Sequence, residues 1–379
     1  MLKRILPLVA ALCLAFTQPA AAQSQGTPAK SAIVLDLTSG AVLLEKDADS
    51  PLPPASMSKL MTLNMVFEAL DQGLISFEDK FRVSATASAM GGSKMFLRNG
   101  ELVSIKDLVR GVIVQSGNDA AVALGEALAG TEAAFAERMN LRARDLGLKK
   151  STFANATGWP HPDHRMSARD LATLASRLIT KFPQYYTMFA EQEFTWDNVT
   201  QSNRNPLLSL GVGADGLKTG HTEEAGYGLV ASAVRGKRRV VMVVSGLNSK
   251  SERRHESERL INWAFRAFET RQLYAKGEGL IDAPVWIGSS SSVTLAPSRD
   301  VTVTAPFGSL DKASLEVQFE GPVPAPIDEG QTIGKVVISA PEMKPVEVPL
   351  VAKHAVTEGS FLTRVQAAGQ LLLQNIDPR

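Results

Sequence analysis

Three short groups of residues, in order along the chain, have the types and spacing for acyl transfer: Ser56-Met57-Ser58-Lys59, Ser116-Gly117-Asn118 and Lys218-Thr219-Gly220. A serine hydroxyl is a poor nucleophile near neutral pH until a base takes its proton. Residues three apart share a helical face, so Lys59 can stand beside Ser56. The surrounding Met57, Leu60, Met61, Leu63, Val66 and Phe67 are apolar nearly all round. Lys59 is therefore expected to be desolvated, which favours the neutral, proton-accepting amine. Pro51, Pro53 and Pro54 break the chain just before Ser56, at a helix start. Unpaired backbone N–H groups and the positive dipole end favour developing negative charge there. Ser116 and Asn118 add a relay hydroxyl and an amide, although Asn118 also suits the cap of a helix beginning at Ala120. Lys218-Thr219-Gly220 precedes a β-rich run. It would put a cation and a hydroxyl on an edge strand, with a glycine where substrate backbone comes close. A lysine beside a threonine suits a substrate carboxylate.

The elements that must position these groups follow from periodicity. Ala32–Leu37 reads as a strand, Thr38-Ser39-Gly40 as its turn and Ala41–Leu44 as the return strand. A helix is predicted from about Ser56 to Leu70, with further helical patterns at Ile105–Val114, Ala120–Leu128, Glu132–Leu146 and Ala168–Leu178. Tyr227–Ala233 and Arg239–Val244 form a second hairpin around Arg235-Gly236-Lys237-Arg238, and a helix over Ser251–Phe268 closes the segment. Mixed helices and antiparallel strands predict an α+β domain. From about Lys276 short period-2 strands appear, such as Val301–Thr304, Leu315–Phe319 and Lys335–Ile338, separated by Gly, Pro and Ser clusters. This texture predicts a small all-β sandwich ending near Val351. The organisation expected is thus a leader over residues 1–22, a catalytic domain over 23–275, a β-sandwich over 276–356 and a C-terminal amphipathic helix over 357–379. In that last segment Phe361, Leu362, Val365, Ala368, Leu372 and Ile376 share one face. Such a helix can lie in a membrane interface or pack on protein. Its only basic residues are Arg364 and Arg379, so attraction to anionic lipid would be weak.

Composition narrows the class. The chain has 379 residues, 44% hydrophobic and 21% charged, enough for two globular domains. Lys3 and Arg4, the apolar run Ile5–Phe16 and Ala20-Ala21-Ala22 have the pattern of an export signal cleaved after Ala22. Pro19, Thr17 and Gln18 cut the apolar run too short to span a bilayer. The single cysteine, Cys13, lies within the leader behind Leu12. A mature chain without a thiol excludes disulfides, thiolate metal ligands and a cysteine nucleophile. With 40 basic and 39 acidic residues there is no global attraction to nucleic acid, and no binding motif for it. His161-Pro162-Asp163-His164 sits in a Pro-containing loop with no third ligand cluster, so no metal is expected. Asp36 and Asp215 read as structural or supporting.

How specific are the three groups? By average composition S-x-x-K arises about once or twice in such a chain, and K-T-G roughly once in ten chains. A second S-x-x-K, Ser309-Leu310-Asp311-Lys312, does occur, but it lies in the β-rich part and follows the K-T-G. The ordered set behind an export signal is far rarer, and it is the signature of penicillin-binding proteins and class A β-lactamases. The chain resembles the low-molecular-mass penicillin-binding proteins of the D-alanyl-D-alanine carboxypeptidase type. The resemblance extends to Pro54–Thr62, Gln115–Ala120, Ser167–Asp170, Asp215–Thr222 and Ala325–Gly330.

That resemblance implies a transpeptidase-like α+β domain followed by a β-sandwich, and a serine D,D-carboxypeptidase acting on peptidoglycan pentapeptides and acylated by β-lactams. No cofactor is implied. Ser56 would be acylated by the penultimate D-Ala, and Lys59 would be the general base. Ser116 would pass a proton to the leaving amine, and Asn118 would hold the substrate amide. The N–H groups of Ser56 and His221 would form the oxyanion hole. Lys218, Thr219 and Arg253 would bind the terminal carboxylate beside Gly220, with Arg254 the competing arginine. Thr157-Gly158-Trp159 matches the family more loosely and is given no role. Three rivals remain: a β-lactamase, for which no Glu-x-x-Leu-Asn segment lies between Ser116 and Lys218; a D,D-endopeptidase; and an inactive wall-binding scaffold. The implied location is the periplasm or cell envelope, with peripheral inner-membrane contact through residues 357–379.

Overall fold

A computed structural model describes residues 26–361 and residue 365. The leader expected over residues 1–22 lies outside these, as does most of the predicted C-terminal helix. The catalytic unit is built on five antiparallel strands in the order Ala41–Lys46, Ser31–Asp36, Arg238–Leu247, Gly226–Arg235, Ala214–Thr222. The central strands are apolar on both faces because both faces are covered. Val240, Met242 and Val244 point to one side, where Leu260, Ile261 and Ala264 of the helix Lys250–Ala267 meet them. Val241 and Val243 point to the other side, into a larger core with the helices Lys59–Asp71 and Ala168–Lys181. Ala214–Thr222 is left as an edge strand, which is what brings Lys218-Thr219-Gly220 to a cleft.

Helix Lys59–Asp71 runs through the middle of the unit. Leu60, Met61, Leu63, Val66 and Phe67 are fully buried, as an all-round apolar helix requires. It begins later than predicted, because Ala55–Ser58 forms a tighter 3-10 turn ahead of it. The pattern at Ile105–Val114 also resolves differently. An α-helix ends at Arg110, and Gly111–Gln115 form one wide π turn that delivers the chain to Ser116 in the left-handed region (φ 59°, ψ 30°). Gly111 fits this turn because a Cβ there would sit 2.4 Å from Met95 Sδ. The next helix, Asn118–Ala129, starts two residues earlier than predicted, and Asn118 makes no capping bond. Three other helices are capped as their sequences suggest. Thr131, Ser167 and Ser249 hydroxyl oxygens accept from the N–H groups of Ala134, Asp170 and Glu252.

The β-rich unit is a sandwich. One sheet orders Ser314–Phe319, Thr332–Ser339, Val346–Ala352, Ser292–Pro297, Ile281–Trp286 and Val323–Pro324. The other pairs Phe268–Tyr274 with Val301–Pro306, so its first strand comes from residues ahead of 276. Val293, Leu295, Val301, Val303, Val336 and Leu350 fill the space between the sheets. Ser309–Lys312, the second S-x-x-K, is a short 3-10 turn in this unit.

A polar seam joins the two units. Asp36, fully buried, accepts from the N–H groups of Thr38 and Ser39 at 3.0 Å and from Thr270 Oγ1 at 3.1 Å. It also accepts a charge-assisted bond from Arg238 Nε, while Arg238 Nη1 donates to Phe268 O at 2.9 Å. Thr304 Oγ1 lies 2.7 Å from both Ser39 Oγ and Thr270 Oγ1. Asp36 is thus structural. Asp215 is too, receiving bonds from Tyr186 Oη and Arg239.

Candidate active site

The three sequence groups converge on one cleft of about 540 Å³, at the end of the sheet remote from the seam. Ser56, Ser116, Thr219, Gly220, His221 and Arg253 line it, together with Ser93, Arg204, Tyr227 and Lys250. Lys59, Asn118 and Lys218 stand behind this lining, all buried. No acidic residue is among the described residues of the lining.

Lys59 Nζ has three close neighbours: Ser56 Oγ at 2.8 Å, Asn118 Oδ1 at 2.7 Å and Thr157 O at 2.7 Å. The Asn118 amide is oriented by its own Nδ2, which donates to Gly91 O at 2.7 Å, so its oxygen faces the lysine. A neutral amine has two N–H bonds and one lone pair. The Asn118 and Thr157 oxygens can only accept, so they take the two N–H groups. The lone pair is left for the Ser56 hydroxyl. Burial, helped by the nearby Arg204 charge, brings the Lys59 pKa down to about 7. Hydrogen bonding and electrostatics therefore both favour a lysine that accepts the serine proton.

The second amine is placed differently from expectation. Lys218 was expected to reach a substrate carboxylate from the edge strand. Its side chain leaves the strand on the side opposite Thr219 and runs inward. Nζ donates to Ser116 Oγ at 2.8 Å and to Thr219 O at 3.3 Å. Burial first, then the charges of Lys59, Arg204 and Arg253, hold its pKa well below the ordinary lysine value. Lys218 therefore orients and polarises Ser116, while Thr219 and Arg253 line the cleft itself. Arg253 is buried and turned to the cleft, its guanidinium 5.7 Å from the Tyr227 ring, whereas Arg254 is exposed. Arg253 Nε is a buried donor with no acceptor among the described residues. His221 stacks on Tyr227 with ring centres 3.8 Å apart, which fixes the strand end.

Gly220 and Gly158 let the parts close up. A Cβ on Gly220 would lie 2.8 Å from Pro54 O and 3.2 Å from Ala55 Cβ, so the edge strand touches the turn that carries Ser56. Gly158 has φ +78°, and a Cβ there would fall 1.9 Å from Ala55 O. Asn155 builds this second turn: its Oδ1 accepts from the N–H groups of Thr157, Gly158 and Trp159 at 3.1, 2.8 and 3.1 Å. Gly158→Ala is therefore expected to lower stability by more than about 1 kcal/mol through backbone strain alone. It should also slow acylation, because the displaced turn carries Thr157 O away from Lys59. Thermal melts and penicillin-labelling rates would check this, and wild-type values for both would show that the turn does not support the site.

Sequence reasoning found the nine residues Ser56, Lys59, Ser116, Asn118, Lys218, Thr219, Gly220, His221 and Arg253, and the structure brings all nine together. It missed the Asn155–Trp159 turn, which acts through a backbone carbonyl and so has no side-chain signature at Thr157. It also missed Arg204, which bonds Ser93 Oγ across the cleft from a loop with no recognisable spacing to the other groups. His161 and His164 do not converge: His161 is exposed, while His164 is buried with its ring edge-on to Phe153.

The chain is similar to known proteins over most of its length. A family model described as D-alanyl-D-alanine carboxypeptidase matches residues 18–249, and one described as the C-terminal domain of penicillin-binding protein 5 matches 268–358. The D-alanyl-D-alanine carboxypeptidase DacF of Bacillus subtilis (strain 168) is 35% identical over 377 residues, covering 96% of this chain and 97% of its own. A crystal structure of penicillin binding protein 5 from Haemophilus influenzae superposes with a TM-score of 0.83 at 36% identity, covering 88% of this chain and 98% of that one. Penicillin-binding protein D2 from Listeria monocytogenes in its ampicillin-bound form gives a TM-score of 0.58 at 33% identity, covering 63% and 98%.

Proposed function

The chain belongs to the D-alanyl-D-alanine carboxypeptidase family, and from that membership we propose that it removes the terminal D-Ala of peptidoglycan pentapeptides through an acyl-enzyme on Ser56. The observation that carries this reading is the set of three neighbours around Lys59 Nζ, which leaves its lone pair for the Ser56 hydroxyl. Lys59 takes that proton as Ser56 Oγ attacks the carbonyl carbon of the penultimate D-Ala. Negative charge develops on the carbonyl oxygen, facing the N–H groups of Ser56 and His221; such donors are worth about 3 kcal/mol each in other enzymes. Asn118 holds the amide on the acyl side. Thr219 and Arg253 hold the terminal carboxylate, which answers the unpartnered Arg253 Nε. As the C–N bond breaks, the proton held by Lys59 reaches the leaving amine through Ser116, whose hydroxyl Lys218 orients. Water then attacks the ester with the same groups in reverse roles, releasing the shortened peptide.

A β-lactam presents a carboxylate and a strained amide to the same groups, and the ampicillin-bound Listeria relative supports acylation here. The test is release of D-Ala from a peptide ending in D-Ala-D-Ala, with fluorescent penicillin as a second probe. Labelling without D-Ala release would favour an endopeptidase or a β-lactamase, and the absence of both signals would remove the enzymatic reading. The rate also carries a pH signature. Lys59 acts only when neutral, so kcat/KM should fall as pH drops below about 7 and level off above it. A profile flat from about pH 5 to 9 would remove Lys59 as the base.

The leader over residues 1–22 supports export to the periplasm or cell envelope. The apolar face of residues 357–379 supports peripheral inner-membrane contact, and its two described residues, Phe361 and Val365, are 79% and 50% exposed. Truncation after residue 356 should move the protein from the membrane fraction to the soluble periplasmic fraction. An unchanged distribution would count against the contact.

A further inference from the structure

Lys59 is held by a turn whose own support lies outside the cleft. Thr157 O accepts from Lys59 Nζ, and the residue before it, Ala156, is fixed at both of its backbone groups. Thr62 Oγ1 donates to Ala156 O at 2.7 Å, and Ala156 N–H donates to Glu132 Oε1 at 3.0 Å. Ala156 is fully buried, so an N–H that lost this acceptor would go unsatisfied. Glu132 opens the helix Glu132–Asp145, just behind the Thr131 cap. An acid in a first helical turn is ordinary, because the helix dipole favours it. This carboxylate, however, reaches out of its helix to a backbone group one residue from the Lys59 partner. Burial raises its pKa, the Ala156 N–H opposes the rise, and the charges of Glu126 and Lys59 act in opposite senses.

We propose that Glu132 is a positioning residue for acylation: it clamps the turn that holds Lys59, and its negative charge opposes loss of the Lys59 proton. The inference rests on the carboxypeptidase reading, since it needs Lys59 to be the base for Ser56. Charged groups act on Lys59 from several elements. Arg204, from the loop across the cleft, and Lys218, from the edge strand, disfavour the ammonium form. Asp119 favours it, but its two oxygens are committed to the N–H groups of Met95, Leu97 and Ala120. His164 is neutral near pH 7, because burial brings its pKa down to about 4. Glu126, on the preceding helix, acts on Glu132 and accepts from Ser84 Oγ at 2.9 Å. Glu132 is thus the carboxylate tied to the lysine's own turn. Burial without it would leave an amine that is neutral but weakly basic, whereas a base works best with its pKa near the operating pH. A carboxylate behind the turn keeps Lys59 basic without entering the cleft.

The test is the second-order rate of labelling by fluorescent penicillin from about pH 5 to 9, which reports acylation alone. Glu132→Gln keeps an oxygen for the Ala156 N–H and removes the charge. Its acid limb should lie about half a pH unit below that of the wild type, as expected for one unit charge near a buried amine. At about pH 6 this is roughly a threefold gain relative to its own plateau. That plateau should stay within about twofold of wild type. Glu132→Ala removes the oxygen too and should lower the plateau about tenfold or more, so that glutamine restores what alanine loses. Glu137→Gln, an exposed acid on the same helix, should leave the profile unmoved. If Glu132→Ala does not fold, the Glu132→Gln profile carries the test by itself. A glutamine profile that superimposes on wild type or moves to higher pH overturns the inference and leaves Lys59 as the base. So does an equal shift in Glu137→Gln, or a folded alanine variant with a wild-type plateau. Wild-type labelling that is flat across the range, or absent, overturns Lys59 as the base, and the inference with it.

Discussion

Ser56→Ala is expected to abolish labelling by fluorescent penicillin and to reduce D-Ala release by on the order of 10⁴ or more, the scale on which losing a serine nucleophile acts. Ser116 supplies no substitute, because its Oγ already accepts from Lys218 and serves the leaving group. The fold should survive, since Ser56 lies at the cleft surface in a short turn and Lys59 keeps two of its three partners. The melting temperature should stay within about 2 °C of wild type. The companion change, Lys59→Ala, should cost about 10²–10⁴ in acylation rate. It should also lower stability, because the Asn118 and Thr157 oxygens lose a buried donor, at about 1–3 kcal/mol for each group left unsatisfied. Penicillin labelling that persists in Ser56→Ala would overturn the nucleophile assignment, whatever happens in the lysine variant.

The largest effect on stability is expected far from the cleft. Asp36→Ala should lower the unfolding free energy by about 3–5 kcal/mol, the usual result of removing one partner from a buried ion pair. The carboxylate is fully buried, and Arg238 is only 12% exposed, so its charge would be left without compensation. The Thr38 and Ser39 N–H groups and the Thr270 hydroxyl would lose their acceptor as well. Asp36→Asn keeps an acceptor for the two N–H groups and should cost less. Urea melts would measure both, with penicillin labelling at room temperature expected to persist in the folded fraction. A loss below about 1 kcal/mol for Asp36→Ala, the range of an exposed ion pair, would mean that the seam does not hold the units together.

Much of this was readable in the residues. The polarity pattern of Lys59–Asp71 announced a buried helix, and burial alone predicted a lysine held near neutrality. The order of the three groups pointed to one cleft because each needed a different element: a helix start, a turn and a strand edge. What escaped was whatever acts through the backbone or through topology. The Thr157 carbonyl could come from any residue type, and its place beside Lys59 is fixed by Asn155 and Gly158 at long range. Lys218 was expected to face substrate, because residue type cannot say which side of a strand borders Ser116. The π turn at Gly111–Gln115 read as plain helix because its apolar residues keep helical spacing while the backbone widens. Phe268 was read as a helix end and the residues to 275 as catalytic domain, because the pairing partner of Phe268–Tyr274, Val301–Pro306, lies some thirty residues on.

The seam and the cleft occupy opposite ends of the same five strands. Asp36 and Arg238 sit where Ser31–Asp36 and Arg238–Leu247 meet the sandwich, while Thr219, Gly220 and His221 sit at the far end of the outermost strand. A pull on the sandwich enters the sheet along the strand axes, through the two strands nearest the seam. Loaded in that direction, the rungs of a ladder share the force and yield together, instead of unzipping one by one. The strand that carries the cleft is one neighbour removed from that path, with Gly226–Arg235 between. The fold thus works as a strain-isolating mount: the sandwich can be tugged while the spacing between Ser56 and the catalytic edge stays set.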